Sequence, residues 1–438
     1  MKDRQLYAFF LVSVIFAGIT SLSPAVPSST NSVIIRSNGR LSLCVTAKSG
    51  SAKDIQAAVN QIVAGGIGNV YIPSGTFNFV NVGEPWVTVS IPAGVNLFGA
   101  PTQRYANGSV VSWNTILEMP YEAPDSSCWF YIDGIGTNTT TRISDIKLVG
   151  WRYTHNSSTT MYYGIYLEQC LDFRIDHCDF QDICGSAIWV DGYDGGTGGY
   201  QYTENNCSGV IDHCILNNTY GDPGWQVYEN RTLGYGIGMR RWACDVWDTN
   251  VSSFWGQYTN YTIVIEDNYF SKWRHSTCSN DGFRQIVRFN IFEGCYGIGE
   301  VDGHGSYADD YHPNAVGTRS MEIYNNTFQN PDTRWNANTF ALNIRRGSVL
   351  AFNNTLIGYY GLLDFNNDFG NYAPYCPQCA VNDTYVWNNN LGNGTLIHYD
   401  ADSVENVNYF LRAPNLQQDG LTYTPYPYPD PLTLVGVT

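Results

Sequence analysis

From residue 173 onward, seven segments of this 438-residue chain obey one spelling rule: FRIDHCDF (173–180), GVIDHCIL (209–216), IVIEDNYF (263–270), QIVRFNIF (285–292), SMEIYNNTF (320–328), VLAFNNTL (349–356) and YVWNNNL (385–391). Each has an aliphatic residue or alanine, two variable positions, Asn or Cys, one variable position, and Phe or Leu. The Asn/Cys column runs Cys178, Cys214, Asn268, Asn290, Asn326, Asn354, Asn389, at intervals of 36, 54, 22, 36, 28 and 35 residues. A bare unit of 22 residues that tolerates insertions fits a parallel β-solenoid and not a helical repeat of fixed length. One coil cannot bury its inner face alone, so coils stack about 4.8 Å apart and share a core. An Asn at each bend can bond its counterparts above and below, satisfying groups that a turn strands.

Ahead of the repeats, SAKDIQAAVNQIVAGG places Ile55, Val59 and Ile62 on one helical face with Ala58 beside them. Ser51 with Asp54 starts the helix in the manner of a capping box, and Gly65-Gly66 ends it. NVYIPSGTFNF and VTVSIPAGVNLFG then alternate as short strands. The helix is expected to cover the open end of the stack.

Composition narrows the partners. Charged residues are 14% of the chain, against roughly 25% in an average soluble protein, and the formal net charge is −16. That balance argues against nucleic acid or an anionic membrane as partner. A polyanionic substrate would need local arginines or a bridging divalent cation. Lys2 and Arg4, an apolar run from Leu6 to Ile19, and Ser23-Pro24-Ala25 have the plan of a signal peptide over residues 1–25, the alternative being an uncleaved anchor. Secretion or cell-surface display is the expectation, and no later segment is apolar enough to span a bilayer. Twelve N-x-S/T sequons suit a glycoprotein, and twelve cysteines permit disulfides there. CPQC (Cys376, Cys379) has no second CxxC, so a zinc ribbon is disfavoured. Residues 26–45 read as a linker, 46–415 as the coil domain, and 416–438 as a tail whose TYTPYPYPDP (422–431) extends a stalk or packs as an end cap.

Taken together, DIQAAVNQI…GNVYIPSGTF, the IDHC segments and the Asn column resemble the pectate-lyase-like superfamily of right-handed parallel β-helices, over roughly residues 50 to 410. The fold class is therefore all-β: a single-stranded right-handed parallel β-helix with an N-terminal capping α-helix. In the resembled lyases the I-D-H segment is structural and remote from the cleft, which makes Asp176-His177 and Asp212-His213 structural here. Cys178 and Cys214 stack in consecutive coils, and parallel Cβ vectors favour free thiols over a disulfide.

The resemblance also places the cleft on the strand preceding each ladder segment: 164–169, 186–192, 235–241, 297–303, 340–346 and 361–367. Alternation points Ile188, Val190, Ile237, Met239, Val301, Leu342 and Ile344 inward. One outward column then reads Glu168, Asp191, Arg240, Asp302, Arg345, Asn366, beside Tyr166, Trp189, Gly238, Glu300, Asn343, Asp364. GEVDGHGSYADDYHPNAVGTRS (299–320) adds His304 and His312, and WRHSTCSNDGFR (273–284) adds Arg274, His275 and Arg284.

Two chemistries fit these residue types. β-Elimination on a uronate polymer needs its carboxylate neutralised and its C5 proton removed. Calcium on Asp191, Glu300 and Asp302 would serve the first need, and Arg240, Arg284 or His275 the second, with His304 continuing the line. Tyr166, Trp189, Arg274, His312, Asn343 and Arg345 are the expected substrate contacts. Inverting hydrolysis instead needs carboxylates about 6.5–9.5 Å apart, for which Glu300 and Asp302 are candidates. GHG (303–305) is similar to a polygalacturonase signature, though no N-T-D and D-D pair precede it, and the R-x-P-x-x-R of pectate lyases is missing too. A third reading is a non-catalytic surface or adhesin β-helix that binds a glycan or acts as spacer. The expected partner is a polysaccharide or cell-surface glycan, elimination is the preferred chemistry, and oligomeric state stays open. Nothing points to nucleotide, flavin or haem.

Overall fold

The computed structural model describes residues 32–37, 40–65, 67–79, 88–105, 110–119, 128–134, 139–150, 163–183, 185–192, 206–218, 234–240, 255–280, 282–295, 299–304, 317–331, 339–365, 381–398 and 403–434. The expected signal segment, CPQC, His312, Asn366 and the sequons at Asn107, Asn138, Asn156, Asn230 and Asn250 lie outside these residues.

Three long sheets of thirteen, ten and nine strands share the chain, and successive coils add one strand to each in turn. The thirteen-stranded sheet carries the seven repeat segments and is called the ladder sheet. Its inner column runs Ile143, Ile175, Ile211, Ile265, Val287, Ile323, Ala351, Val386 in strict register, which is the aliphatic position of the repeat. The final Phe/Leu position forms the inner column of the nine-stranded sheet. There Phe270, Phe292 and Phe328 stack with centroids 4.9 and 4.8 Å apart, the spacing of the strands themselves.

The corner between these sheets explains the rest of the repeat. The residue before each ladder position is left-handed: His177, His213, Asp267, Phe289, Asn325, Asn353 and Asn388 have φ of 53 to 58°. Asn and Asp accept this conformation readily, and a bulky residue such as Phe289 pays roughly 1–2 kcal/mol. Next to it the ladder asparagines close a chain of hydrogen bonds. Oδ1 of Asn326 accepts from the backbone N–H of Asn290 (3.0 Å) and from its Nδ2 (3.1 Å), while Nδ2 of Asn326 donates to the Val287 carbonyl (2.9 Å) and to Oδ1 of Asn354 (3.0 Å). Asn268, Asn290, Asn354 and Asn389 repeat the pattern. At the head of the column the Cys178 and Cys214 thiols are directed at backbone carbonyls, and the eight described cysteines are buried and outside any disulfide.

At the N-terminal end, helix α1 (Ala52–Gly65) buries Ala52, Ile55, Ala58, Val59 and Ile62. Ser51 Oγ accepts from the Asp54 N–H at 3.2 Å, as a cap should. Gln56 exchanges two hydrogen bonds with Ser90, on the edge strand of the ten-stranded sheet, so the helix blocks further pairing there. The stretch read as a linker instead contains an antiparallel hairpin, Ser32–Ser37 with Arg40–Thr46, that begins the ladder sheet. Leu41, Leu43 and Val45 do alternate along the second strand, whereas SVIIRS in the first does not.

The Pro/Tyr tail corrects the expectation of a stalk or end cap. After α2 (Leu416–Asp419) it runs back over the outer face of the ladder sheet to α3 (Pro431–Leu434). Leu421, Tyr423, Tyr426 and Leu432 pack on a second core of Val210, Trp255, Val264, Ile286, Tyr324, Leu350, Phe352 and Tyr385. Those outward residues are apolar because this strap covers them.

The Asn column yields a stability test. In Asn326→Ala the N–H and amide of Asn290 lose their acceptor in a buried place, at about 1–3 kcal/mol for each stranded group. Asn389→Ala, at the half-buried last rung, should lose less because water can replace its bonds. Denaturant midpoints should rank wild type above N389A above N326A.

Candidate active site

Each strand of the ten-stranded sheet presents outward residues that line up across coils. One column reads Tyr131, Tyr166, Trp189, Gly238, Cys278, Asp302, Asn343, Asp364. Its neighbour reads Asp133, Glu168, Asp191, Arg240, Asn280. His304 and Arg345 extend that neighbour, since His304 N–H bonds the Ser279 carbonyl and Arg345 N–H the Gly303 carbonyl. All six expected site strands lie in this sheet. A seventh, His275–Asn280, was missed as a strand because Ser276, Thr277 and Ser279 replace the usual aliphatic residues.

Register moves one expected residue and removes two. Asp302 stands in the column of Trp189 and Asn343, not in that of Asp191 and Arg240. The strand begins only at Val301, after a kink at Gly299 with φ 87°. Glu300 therefore precedes the strand and faces the interior, where Ser276 Oγ (2.6 Å), Tyr359 OH (2.5 Å) and Cys295 N–H (2.7 Å) donate to it. Burial raises its pKa, and these donors oppose the rise. No outward Glu300–Asp302 pair exists. Arg284 belongs to the ladder sheet, where it bonds Ser320 Oγ at 3.0 Å and lies 3.6 Å from Glu322. Gly282 (φ 87°) turns the chain out of the site sheet just before it.

The remaining candidates form two groups. In the first, Arg345 grips both oxygens of Asp302 (3.1 and 2.5 Å), Asn343 Nδ2 donates to Oδ1 at 2.8 Å, and Cys278 Sγ lies 3.2 Å from Oδ2. Burial alone would push the Asp302 pKa up. Arg345, helped by His275 and His304, outweighs it and holds the carboxyl well below its ordinary range. His275 is buried, stacks on Tyr235 at 5.8 Å, and has Nδ1 2.8 Å from the Gly299 carbonyl. A carbonyl can only accept, so Nδ1 carries the proton and Nε2 presents a lone pair. Burial lowers the His275 pKa to about 4. Asp302 opposes that shift, and Arg274 and Arg345 reinforce it.

In the second group Asp191 accepts from Tyr166 OH (2.8 Å) and Trp189 Nε1 (3.3 Å), and Arg240 approaches to 3.5 Å while lying over the Trp189 ring at 5.8 Å. Glu168 accepts from Tyr131 OH. An aromatic row joins the two groups: Tyr166, Tyr163, Trp189, Tyr235 and His275 follow one another at centroid distances of 5.2 to 6.4 Å. Tyr163, Tyr235 and Cys278 were not anticipated. The Ser/Thr-rich HSTCSN between Arg274 and Gly282 was the signal for Cys278, as a strand whose interior is polar.

Calcium does not fit the three acids named for it. Asp191 and Asp302 are three coils apart, roughly 14 Å along the stack, and Glu300 is inside. Among the described residues no group of three or more His, Cys, Asp or Glu could hold a metal ion.

Three parallel sheets climbed one coil at a time, with an Asn ladder at one corner, decide the fold. It is a parallel β-helix. No family model matches the chain, and no curated protein matches it. Among solved structures the β-helix is similar to the mannuronan C-5 epimerase AlgE6 A-module of Azotobacter vinelandii, at 11% identity over 84% of this chain and 97% of that one, TM-score 0.37. A hyperthermoactive exopolygalacturonase of Thermotoga maritima shares 10% identity over 84% and 82%, TM-score 0.43. The tailspike of E. coli bacteriophage HK620, in complex with a pentasaccharide, shares 14% over 77% of this β-helix and 53% of its own chain, TM-score 0.41.

Removing one partner from a buried ion pair costs about 3–5 kcal/mol, because the other charge is left uncompensated. Arg345→Ala should therefore lower the thermal midpoint strongly at neutral pH. Asp302 has a depressed folded pKa, so the pair stabilises above the unfolded value near 4 and fades as pH falls below it. The gap between wild type and R345A should narrow in acid, which melting curves from pH 7 to pH 2 would read.

Proposed function

We propose that this β-helix is a secreted enzyme that lays an acidic polysaccharide along the outer face of the ten-stranded sheet and cleaves it by β-elimination. One observation carries the reading: the Gly299 carbonyl, 2.8 Å from Nδ1 of His275, accepts from its N–H and leaves Nε2 as the acceptor, while burial, with Arg274 and Arg345, favours the neutral ring. Nε2 takes the C5 proton of a uronate residue, the C–H electrons form the C4=C5 double bond, and the C4–O bond breaks. The departing oxygen takes a proton from water. Arg274 faces the substrate carboxylate, since Arg345 is committed to Asp302. Trp189 and Arg240, with Tyr166 behind them, hold the polymer further along the stack. The three solved neighbours carry names or ligands of the carbohydrate class, an epimerase of mannuronan, an exopolygalacturonase and a pentasaccharide-bound tailspike, which accords with this choice of substrate.

A second reading rests on a specific observation. Asp302 and Asp191 are both saturated by partners, as they would be in a non-catalytic glycan-binding stalk. The inverting hydrolase reading lacks the Glu300–Asp302 pair on which it was built.

Incubation with uronate polymers separates these readings. Elimination leaves an unsaturated end that absorbs in the ultraviolet; hydrolysis yields only reducing ends; a stalk yields neither while still retarding polymer in a gel. His275→Ala should reduce the absorbance rate about 10²–10⁴-fold with polymer binding retained. Because His275 must be neutral to act, the acid limb of kcat/KM should fall near pH 4 and not near 6.5. Full absorbance activity in H275A would remove that residue from the mechanism.

A further inference from the structure

The strap over the ladder sheet has a seat whose charges do not balance. Asp430 is fully buried where α3 begins. Its N–H donates to Glu266 Oε1 at 2.9 Å, its Oδ1 accepts from the Leu432 N–H at 2.8 Å, and its Oδ2 is buried with no hydrogen-bond partner. Two neighbouring acids, Asp212 and Glu266, each have an arginine. Arg174 holds Asp212 through two bonds of 2.9 Å, and Arg288 holds Glu266 at 2.8 and 2.6 Å. Both arginines have further duties: Arg174 donates to the Thr433 carbonyl, and Arg288 to the carbonyls of Tyr426 and Pro427 and to Tyr324 OH. Asp430 is the fully buried carboxyl here with an oxygen left unbonded. The other groups facing this seat are Asp267, bonded by Tyr428 OH, His213 beside Asp267 at the corner, and Asp172, bonded by Tyr258 OH.

We propose that the strap is an acid-dependent latch, seated while Asp430 is protonated and loosened when it ionises. Burial pushes the Asp430 pKa up to about 6; the Leu432 N–H and Arg288 oppose this, and Glu266 and Asp212 add to it. A carboxyl whose folded pKa exceeds its unfolded value binds its proton more tightly in the seated state. Seating is therefore strongest in acid and weakens as pH climbs from about 4 through 6. Burial raises Glu266 and Asp267 in the same sense. His213, raised by its bond to Asp212, loses its positive charge as pH rises, so it works in the same direction. Release would uncover the stacked row Tyr324, Phe352, Trp387, whose rings lie 4.6 and 4.4 Å apart. An acidic exterior would keep that aromatic face closed, and a neutral one would open it.

Hydrogen–deuterium exchange on the full-length protein tests this, after correction for the intrinsic pH dependence of exchange. The opening constant of amides between Tyr423 and Leu434 should rise about tenfold from pH 5 to pH 7.5, while amides of the Asn ladder stay unchanged. Asp430→Asn should keep the strap protected at pH 7.5 and flatten its pH dependence. Glu266→Gln, which removes one neighbouring charge, should shift the midpoint to lower pH. Equal strap protection in wild type at both pH values would overturn the latch. So would a D430N or E266Q strap with the wild-type pH profile.

Discussion

Successive coils are locked in register by backbone hydrogen bonds and by the Asn ladder at one corner, and every other feature depends on that lock. A slip of one residue in a parallel pair would turn inner side chains outward. The ladder resists such a slip because each amide bonds both the N–H and the side chain of the coil before it. Register carries the inner aliphatic column and the phenylalanine stack, and it equally sets which outer residues meet. Asp302 finds Asn343 because their strands are in step, even though 41 residues separate them.

A chain with 14% charged residues still buries many of its charges, and the same register pairs them. Arg142 with Asp176 and Arg174 with Asp212 join adjacent coils on the ladder sheet, and Arg345 with Asp302 does so on the site sheet. Stacked coils bring like residues into contact, so a column of one sign would repel itself along its whole length. On the ladder sheet Asp176, Asp212 and Glu266 do stack in one column, and Arg142 and Arg174, stacked in a neighbouring column, reach one coil along to pair the first two. The carboxylates of Asp176 and Asp212, expected to be structural, are bound to these arginines and to their own histidines, His177 and His213. The histidine rings stack 5.0 Å apart at the corner.

The fold was legible because its signal is periodic: aliphatic, Asn and Phe positions recur in seven coils, and each has a local physical cause. The site was legible only in part, because it depends on phase. Six strands of the site sheet could be found by alternation, and Tyr166, Trp189, Arg240, Asp302, Asn343 and Arg345 all lie on its outer face. Glu300 was misplaced because a glycine with positive φ, Gly299, delays the start of the strand to Val301, and no alternation rule registers such a kink. Arg284 was misplaced because the turn at Gly282 passes it to another sheet. The strand holding His275 broke the pattern outright, since its interior residues are Thr277 and Ser279, satisfied by Gln285 and Thr318. The strap escaped because its partners, Glu266, Arg288 and Glu322, lie more than a hundred residues away in sequence.

Pairing the acids also bears on the chemistry proposed for the outer face of the ten-stranded sheet. A carboxylate gripped by an arginine and an amide is a poor proton acceptor, because its ionised form is already stabilised. That removes Asp302 as a general base and leaves it as an anchor for Arg345. Burial acts oppositely on imidazole: it disfavours the charged form, so His275 stays basic in form over a wide pH range. Two neighbouring arginines deepen that preference and also favour an anionic sugar beside it. The two effects reinforce one another only for a substrate that carries its own negative charge. For a neutral glycan the arginines would depress the base without stabilising the carbanion formed at the reacting carbon. The proposed base, His275, and the proposed acidic polymer therefore stand or fall together.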